Sequence, residues 1–277
     1  MMAAAHSGLR ADLLAGEGQL LGMFIIVPRV EVVEAAAAAG FDLVVLDCEH
    51  GPFGVESLSP LIAAARGAGL WVVVRVPAND EQAIGAVLDC GPDGVLVPHV
   101  NSGSDALRAV RASRFPPHGD RSVHPWVRAA RYGEVNDYVS TADNSLAVLV
   151  MAEGRDAINN LDELTRTVGA DAVFVGPMDL AASLGLAHAP FDPRVTEAAG
   201  DILLRTKEAG KAAAIFAVEA DDARRWFTAG ARLVVLSVDT ALMREGFQRA
   251  VDAVRAPRLV ANSRPGLDGD SSNFATS

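Results

Sequence analysis

Short apolar runs recur along the chain. Each is closed by glycine, proline or a burst of charge, and each is followed by a stretch with helical spacing. Strands are predicted over 20–27 (closed by Pro28), 41–47, 70–76 (closed by Pro77), 94–97 (closed by Pro98), 146–151, 172–175, 211–218 and 232–236. The helices predicted between them cover 30–39 (stopped by Gly40), 57–66, a segment from a cap at Asp80 to Asp89, 104–113, 128–140, 157–167, a segment ending at Gly185, 195–209, 221–229 and 242–254. A short helix over 9–14 reads as a plug for one end of the assembly, preceded by a frayed start over 1–8. The Pro-, Gly-, Ser- and Asp-rich segment 256–277 reads as a disordered tail.

The strand runs are continuously apolar rather than alternating, so both faces are buried and the sheet is parallel. Eight such strands, interleaved with helices in a chain of 277 residues, favour a (β/α)8 TIM barrel over a doubly wound sheet. No GxGxxG or Walker A pattern follows any strand, which weakens a nucleotide-binding alternative. The expected organisation is one barrel domain over 1–255 and the tail.

Composition narrows the partners. A net charge of −11 argues against a nucleic-acid or anionic-membrane surface. No apolar run reaches the roughly 18 residues of a membrane span, and no apolar leader core is seen near the start. Cys48 and Cys90, the two cysteines, lack CxxC spacing, which fits a reducing cytoplasm.

Chemistry concentrates where strands end, because a parallel barrel delivers all its strand C-termini to one mouth. The run 41–46 passes abruptly into Asp47-Cys48-Glu49-His50. Alternation puts Asp47 and Glu49 on one side and turns Cys48 away into packing. Arg75 ends a valine-rich strand; it could steady a carboxylate or enolate oxygen, pair with Asp47 or Glu49, or do both. His50 could serve as a general base oriented by Asp47, or be structural. Glu153 and Asp179 end neighbouring strands. Two converging carboxylates suit a divalent ion, although each could instead cap a helix or pair with Arg155. In Gly176-Pro177-Met178-Asp179, proline in the first helical turn leaves free amides that can take a substrate carboxylate. Asn79-Asp80 reads as a cap, though Asp80 could reach the mouth, while His99, His118, His124 and Arg121 read as structural or, at most, as shaping specificity. The two lysines, Lys207 and Lys211, lie on a helix and ahead of a strand, so no Schiff-base lysine reaches the mouth.

Taken in order, Asp47-Cys48-Glu49-His50, Val74-Arg75-Val76-Pro77-Ala78-Asn79-Asp80, Val97-Pro98, Pro116-Pro117-His118-Gly119, Val173-Phe174-Val175-Gly176-Pro177-Met178-Asp179-Leu180 and Val238-Asp239-Thr240 resemble the HpcH/HpaI aldolases. These include the 4-hydroxy-2-oxoheptanedioate and 2-keto-3-deoxy sugar-acid aldolases, and the likeness spans roughly 9–255. The resemblance implies a class II aldolase that reversibly cleaves a 4-hydroxy-2-oxo acid to pyruvate and an aldehyde. It implies a barrel whose last helix is exchanged between subunits of a homo-oligomer, a trimer or hexamer. Glu153 and Asp179 would ligate Mg²⁺, Mn²⁺ or Co²⁺, with no organic cofactor. Arg75 would steady the pyruvate enolate, His50 with Asp47 would manage the hydroxyl proton, and Glu49 would hold the network. The amides of Met178 and Asp179 would bind the carboxylate beside Gly176.

The chain departs from the family pattern at Met151-Ala152-Glu153, where Gln-Ile-Glu is usual. Further departures are Gly154, Met178, and Arg121-Ser122-Val123-His124 in the long loop. Retained enolate chemistry with an altered substrate is therefore expected. Oxaloacetate decarboxylation, a citrate-synthase-like condensation, or 2-oxo-acid binding without catalysis are the alternatives.

Overall fold

A computed structural model describes residues 8–15 and 18–255. Eight parallel strands close into a barrel in chain order: β1 (Leu20–Ile25), β2 (Leu43–Asp47), β3 (Trp71–Arg75), β4 (Gly94–Val97), β5 (Ala147–Ala152), β6 (Ala172–Val175), β7 (Ala212–Ala217) and β8 (Leu233–Val238). Helices follow every strand, as the alternating pattern predicts. The chain divides into two compact units, up to Leu242 and from Met243 onward. The first holds the barrel. The described part of the second is helical and continues the last helix, Asp239–Arg255. The expected disordered tail, 256–277, and most of the expected frayed start lie outside the described residues.

The strands sort their side chains into two apolar layers. Leu43, Val45, Val73, Leu96, Leu149, Met151, Phe174, Ala214, Leu233 and Val235 pack together inside the barrel. Val44, Leu46, Val72, Val74, Val95, Val148, Val150, Val173, Val175 and Ile215 pack outward with the helices. Both faces are buried, which is why the runs read as continuous rather than alternating. Helix Leu9–Leu14 sends Leu9 and Leu13 into the inner layer, so it plugs the barrel as expected.

Cap chemistry sets several boundaries. Asp80 accepts from the Ala83 amide at 2.9 Å and starts helix Glu81–Asp89. Gly40 ends helix Val30–Ala39 at φ 95, a conformation glycine adopts without a Cβ clash. The helix predicted over 128–140 is corrected. Residues Arg128–Gly133 form a 3₁₀ segment, with Arg131 at φ 48 and Tyr132 at φ 58, and the α-helix begins only at Tyr138 and ends at Ser145. The left-handed residues end the first turn, and Asp137, at φ 56, separates it from the second helix. The helix predicted over 157–167 likewise divides into Arg155–Asn159 and Leu161–Arg166.

At the end opposite the mouth, Asp171 precedes β6 and gathers cations. Its carboxylate takes Arg10 at 2.8 Å, Arg114 at 3.0 Å and the Val148 amide at 2.9 Å. Arg114 is itself buried. Asp171→Ala would break the buried ion pair of that guanidinium, and urea denaturation should show a loss of about 3–5 kcal/mol.

Candidate active site

Three inward-facing columns of the barrel change character at their last position. Leu43 and Val45 are followed two residues on by Asp47, Val73 by Arg75, and Met151 by Glu153. Asp47, Arg75 and Glu153 are all buried. The apolar interior therefore ends in a charged layer at the C-terminal mouth, where barrel chemistry is located.

Asp47 and Arg75 face each other directly in the β2–β3 register. Arg75 Nε donates to Asp47 Oδ1 at 2.8 Å and Nη2 donates to Oδ2 at 2.6 Å, a bidentate pair. Nη1 lies 3.0 Å from Glu49 Oε2, and the guanidinium stacks 4.7 Å above the Phe24 ring. Both ion pairs weighed for Arg75 are thus present. Burial opposes the charge, but the Asp47 hydrogen bond and the surrounding carboxylates raise the Arg75 pKa, so the group is a permanent cation. The pairing with Asp47 uses Nε–H and one Nη2–H. The other Nη2 proton and those of Nη1 remain for Glu49 and an incoming oxygen.

Asp47 also accepts the backbone amides of Glu49 at 3.0 Å and His50 at 3.2 Å. It therefore shapes the turn after β2 through the His50 backbone rather than the His50 ring. That ring is exposed at the mouth and makes no hydrogen bond among the described residues. Cys48 packs into the outer layer, and burial, aided by the Asp47 charge, pushes its thiol up to about 12. A protonated thiol is no nucleophile.

Glu153 sits across the mouth, 4% exposed. Burial raises its pKa first, and the negative charges of Asp179 and Glu49 raise it further against the opposing effect of His99. Among the described residues Arg155 does not pair with it; its partner is His99, which stands two residues beyond β4. The His99 amide donates to Glu153 Oε1 at 2.6 Å. Ring Nδ1 lies 3.1 Å from the same oxygen, and Nε2 lies 3.0 Å from Glu49 Oε1. His99 adopts φ 55, a left-handed conformation uncommon outside glycine, and such strain gathers at functional sites. Sequence reasoning set His99 aside. The strand-end rule that singled out Glu49 two residues beyond β2 applies equally to His99 beyond β4.

Gly176 occupies the next inward column, after Phe174. A Cβ there would lie 2.7 Å from Glu153 Oε2 and 3.2 Å from Met151 Cε, so only glycine leaves that carboxylate oxygen its space. Helix Pro177–Ser183 starts immediately afterwards, with Met178 and Asp179 exposed in its first turn. First-turn amides have no intrahelical acceptor. Asp239 acts elsewhere: buried, it accepts from Ile26 at 3.1 Å and Val27 at 2.9 Å and ties β8 to the end of β1.

Two lesser expectations resolve. Lys211 donates to the carbonyls of Thr167 and Ala170 before β7, away from the mouth. Arg121 is buried in an ion pair with Asp89. It lines a cavity of about 830 Å³ at the N-terminal end of the barrel, together with Trp71, Asp93 and Tyr138. Among the described residues no three metal-ligating side chains cluster, so a cation at the mouth would rely on two carboxylates plus water and substrate oxygens.

The family model described as HpcH/HpaI aldolase/citrate lyase matches residues 20–246. A 5-keto-4-deoxy-D-glucarate aldolase of Escherichia fergusonii is 39% identical over 222 residues, covering 80% of this chain and 87% of the relative. A pyruvate aldolase of Rhizobium etli is 37% identical over 237 residues, covering 86% and 93%. The crystal structure of an HpcH/HpaI aldolase/citrate lyase family protein from Burkholderia cenocepacia superposes with a TM-score of 0.86 at 35% identity, covering 90% of this chain and 99% of that one.

Proposed function

The chain belongs to the HpcH/HpaI aldolase/citrate lyase family, and from that membership we propose a divalent-metal-dependent aldolase that reversibly cleaves a 4-hydroxy-2-oxo acid to pyruvate and an aldehyde. The observation that carries this reading is the geometry of Glu153. It is buried at the mouth, with Oε1 held by the His99 amide and Oε2 directed into the space kept by Gly176, just before the helix that carries Asp179. Burial first, then the Asp179 and Glu49 charges, raise its pKa, a direction that a bound cation opposes. Glu153 and Asp179 would hold that cation, with Glu153 Oε2 left open beside Gly176. When bound, Mg²⁺, Mn²⁺ or Co²⁺ supplies Lewis-acid polarisation of a 2-oxo acid.

The remaining work falls to the protein's own groups. Amides of Met178 and Asp179, next to Gly176, bind the substrate carboxylate. Arg75 presents its spare N–H groups to the keto oxygen, where negative charge develops as the C3–C4 bond breaks and its electron pair moves toward C2. His50, at the mouth, takes the C4 hydroxyl proton through water as the aldehyde leaves, and C3 is then protonated to give pyruvate. Asp47 and Glu49 hold Arg75 in place. The Met151 side chain, buried below Glu153, has no hydrogen-bond donor, which suits a narrowed pocket and a different aldehyde partner. The last helix exposes Phe247 and Val254, a surface suited to exchange between subunits of a homo-oligomer in the cytoplasm.

Purified protein incubated with 4-hydroxy-2-oxo acids and Mg²⁺ or Mn²⁺ should release pyruvate, measured by coupled reduction. EDTA should abolish the release and excess Mn²⁺ should restore it. Turnover that persists in EDTA at full rate sinks the metal reading.

A further inference from the structure

We propose that His99 is the positioning residue that selects which oxygen of Glu153 faces the cation, an inference that rests on the metal-dependent reading above. Three observations converge on it. Both the backbone amide and ring Nδ1 of His99 lie on one oxygen of Glu153, Oε1, at 2.6 and 3.1 Å. The other oxygen, Oε2, has no hydrogen-bond donor among the described residues and lies in the space that glycine at 176 keeps clear. Ring Nε2 is braced 3.0 Å from Glu49 Oε1, and Glu49 is in turn paired with Arg75.

The brace links Glu49, beyond the end of β2, to Glu153, beyond the end of β5. Its conformation explains how one residue reaches both acids. A left-handed backbone after Pro98 points the His99 amide at Glu153 while its ring stays at the mouth, 62% exposed, with one nitrogen toward each carboxylate. Without the ring, Glu153 keeps the amide contact but is free to rotate about it. The carboxylate would then share Oε1 and Oε2 between orientations, and the ligand would lose its preorganisation. Partners that orient a metal ligand in this way commonly contribute 10–100-fold to affinity.

The test separates ring from backbone. His99→Gly tolerates φ 55 and keeps the amide but removes both ring contacts. His99→Asn also tolerates a left-handed backbone, and its side-chain amide can stand where Nδ1 stands. Mn²⁺ binding to each protein is measured by calorimetry and by the Mn²⁺ electron paramagnetic resonance spectrum, alongside the melting temperature of metal-free protein.

His99→Gly should bind Mn²⁺ about 10–100-fold more weakly than the unaltered protein. His99→Asn should recover most of that loss, and the metal-free melting temperature should not fall in either variant. Equal Mn²⁺ affinity in His99→Gly and the unaltered protein overturns the proposal while leaving the metal site standing. So does a His99→Asn variant as weak as His99→Gly. Absence of Mn²⁺ binding by the unaltered protein instead removes the metal-dependent reading itself.

Discussion

Arg75→Lys should lower kcat/KM for pyruvate release by about 10²–10³, the usual consequence of removing one preorganised donor from a developing oxyanion. Lysine keeps a positive charge between Asp47 and Glu49, so the fold retains its central cation. It cannot reproduce the guanidinium plane. Arg75 holds Asp47 through two parallel contacts at 2.8 and 2.6 Å and still has protons directed elsewhere. An ammonium group drawn onto Asp47 has no fixed second face for the substrate.

Arg75→Ala is the poorer experiment. It would leave Asp47, which is 1% exposed, without a cation at a cost of about 3–5 kcal/mol, and lost activity could then reflect lost structure. Steady-state kinetics should be paired with deuterium exchange at the pyruvate methyl, followed by proton NMR. Exchange probes enolisation without the aldehyde. If Arg75→Lys exchanges the methyl at the normal rate, Arg75 does not act on the keto oxygen.

The barrel was legible because its evidence is repeated along the chain. Each strand is buried on two faces, so each appears as a dense apolar run, and the misplaced parts lie in the helix after β5, which divides in two, and in the excursion between β4 and β5. There Arg131, Tyr132 and Asp137 adopt left-handed conformations that no hydrophobic period announces. The acids and Arg75 were legible for a related reason. A charge at the inward end of an apolar column has no bland explanation, and the paired register of Asp47 with Arg75 supplies its partner.

His99 was hidden because its role depends on backbone direction. Placed by strand geometry alone it could face either way. Only the left-handed turn after Pro98 brings both ring nitrogens to carboxylates from two different strands. The role of Asp47 toward His50 was half visible. The contact exists, but it is made with the backbone amide, so Asp47 builds the turn and clamps Arg75 in one action.

Glu153→Gln should abolish Mn²⁺-dependent turnover, with a loss of about 10³-fold or more, since a metal's contribution to such a transition state is several kcal/mol. The same change should make the metal-free protein more stable at neutral pH. The sign follows from burial. Glu153 is held above its ordinary value of 4.5 by desolvation and by Asp179 and Glu49, so the folded protein favours its protonated form. Its contribution to stability is fully present below the unfolded value and is lost as pH rises through the folded one. At neutral pH the ionised group is therefore a cost, and the neutral amide of glutamine removes it. A gain of about 0.5–2 kcal/mol is the usual size of a single stabilising substitution.

The unaltered protein should show the complementary behaviour. Mn²⁺ should raise its melting temperature at neutral pH and do so progressively less as pH falls toward 4.5, because protons compete with the ion for Glu153. Glutamine at 153 should erase that Mn²⁺ effect while raising the metal-free melting temperature. A variant that is inactive and also less stable would mean that Glu153 is needed for folding, and the mouth would lose its claim to be a site built for a cation.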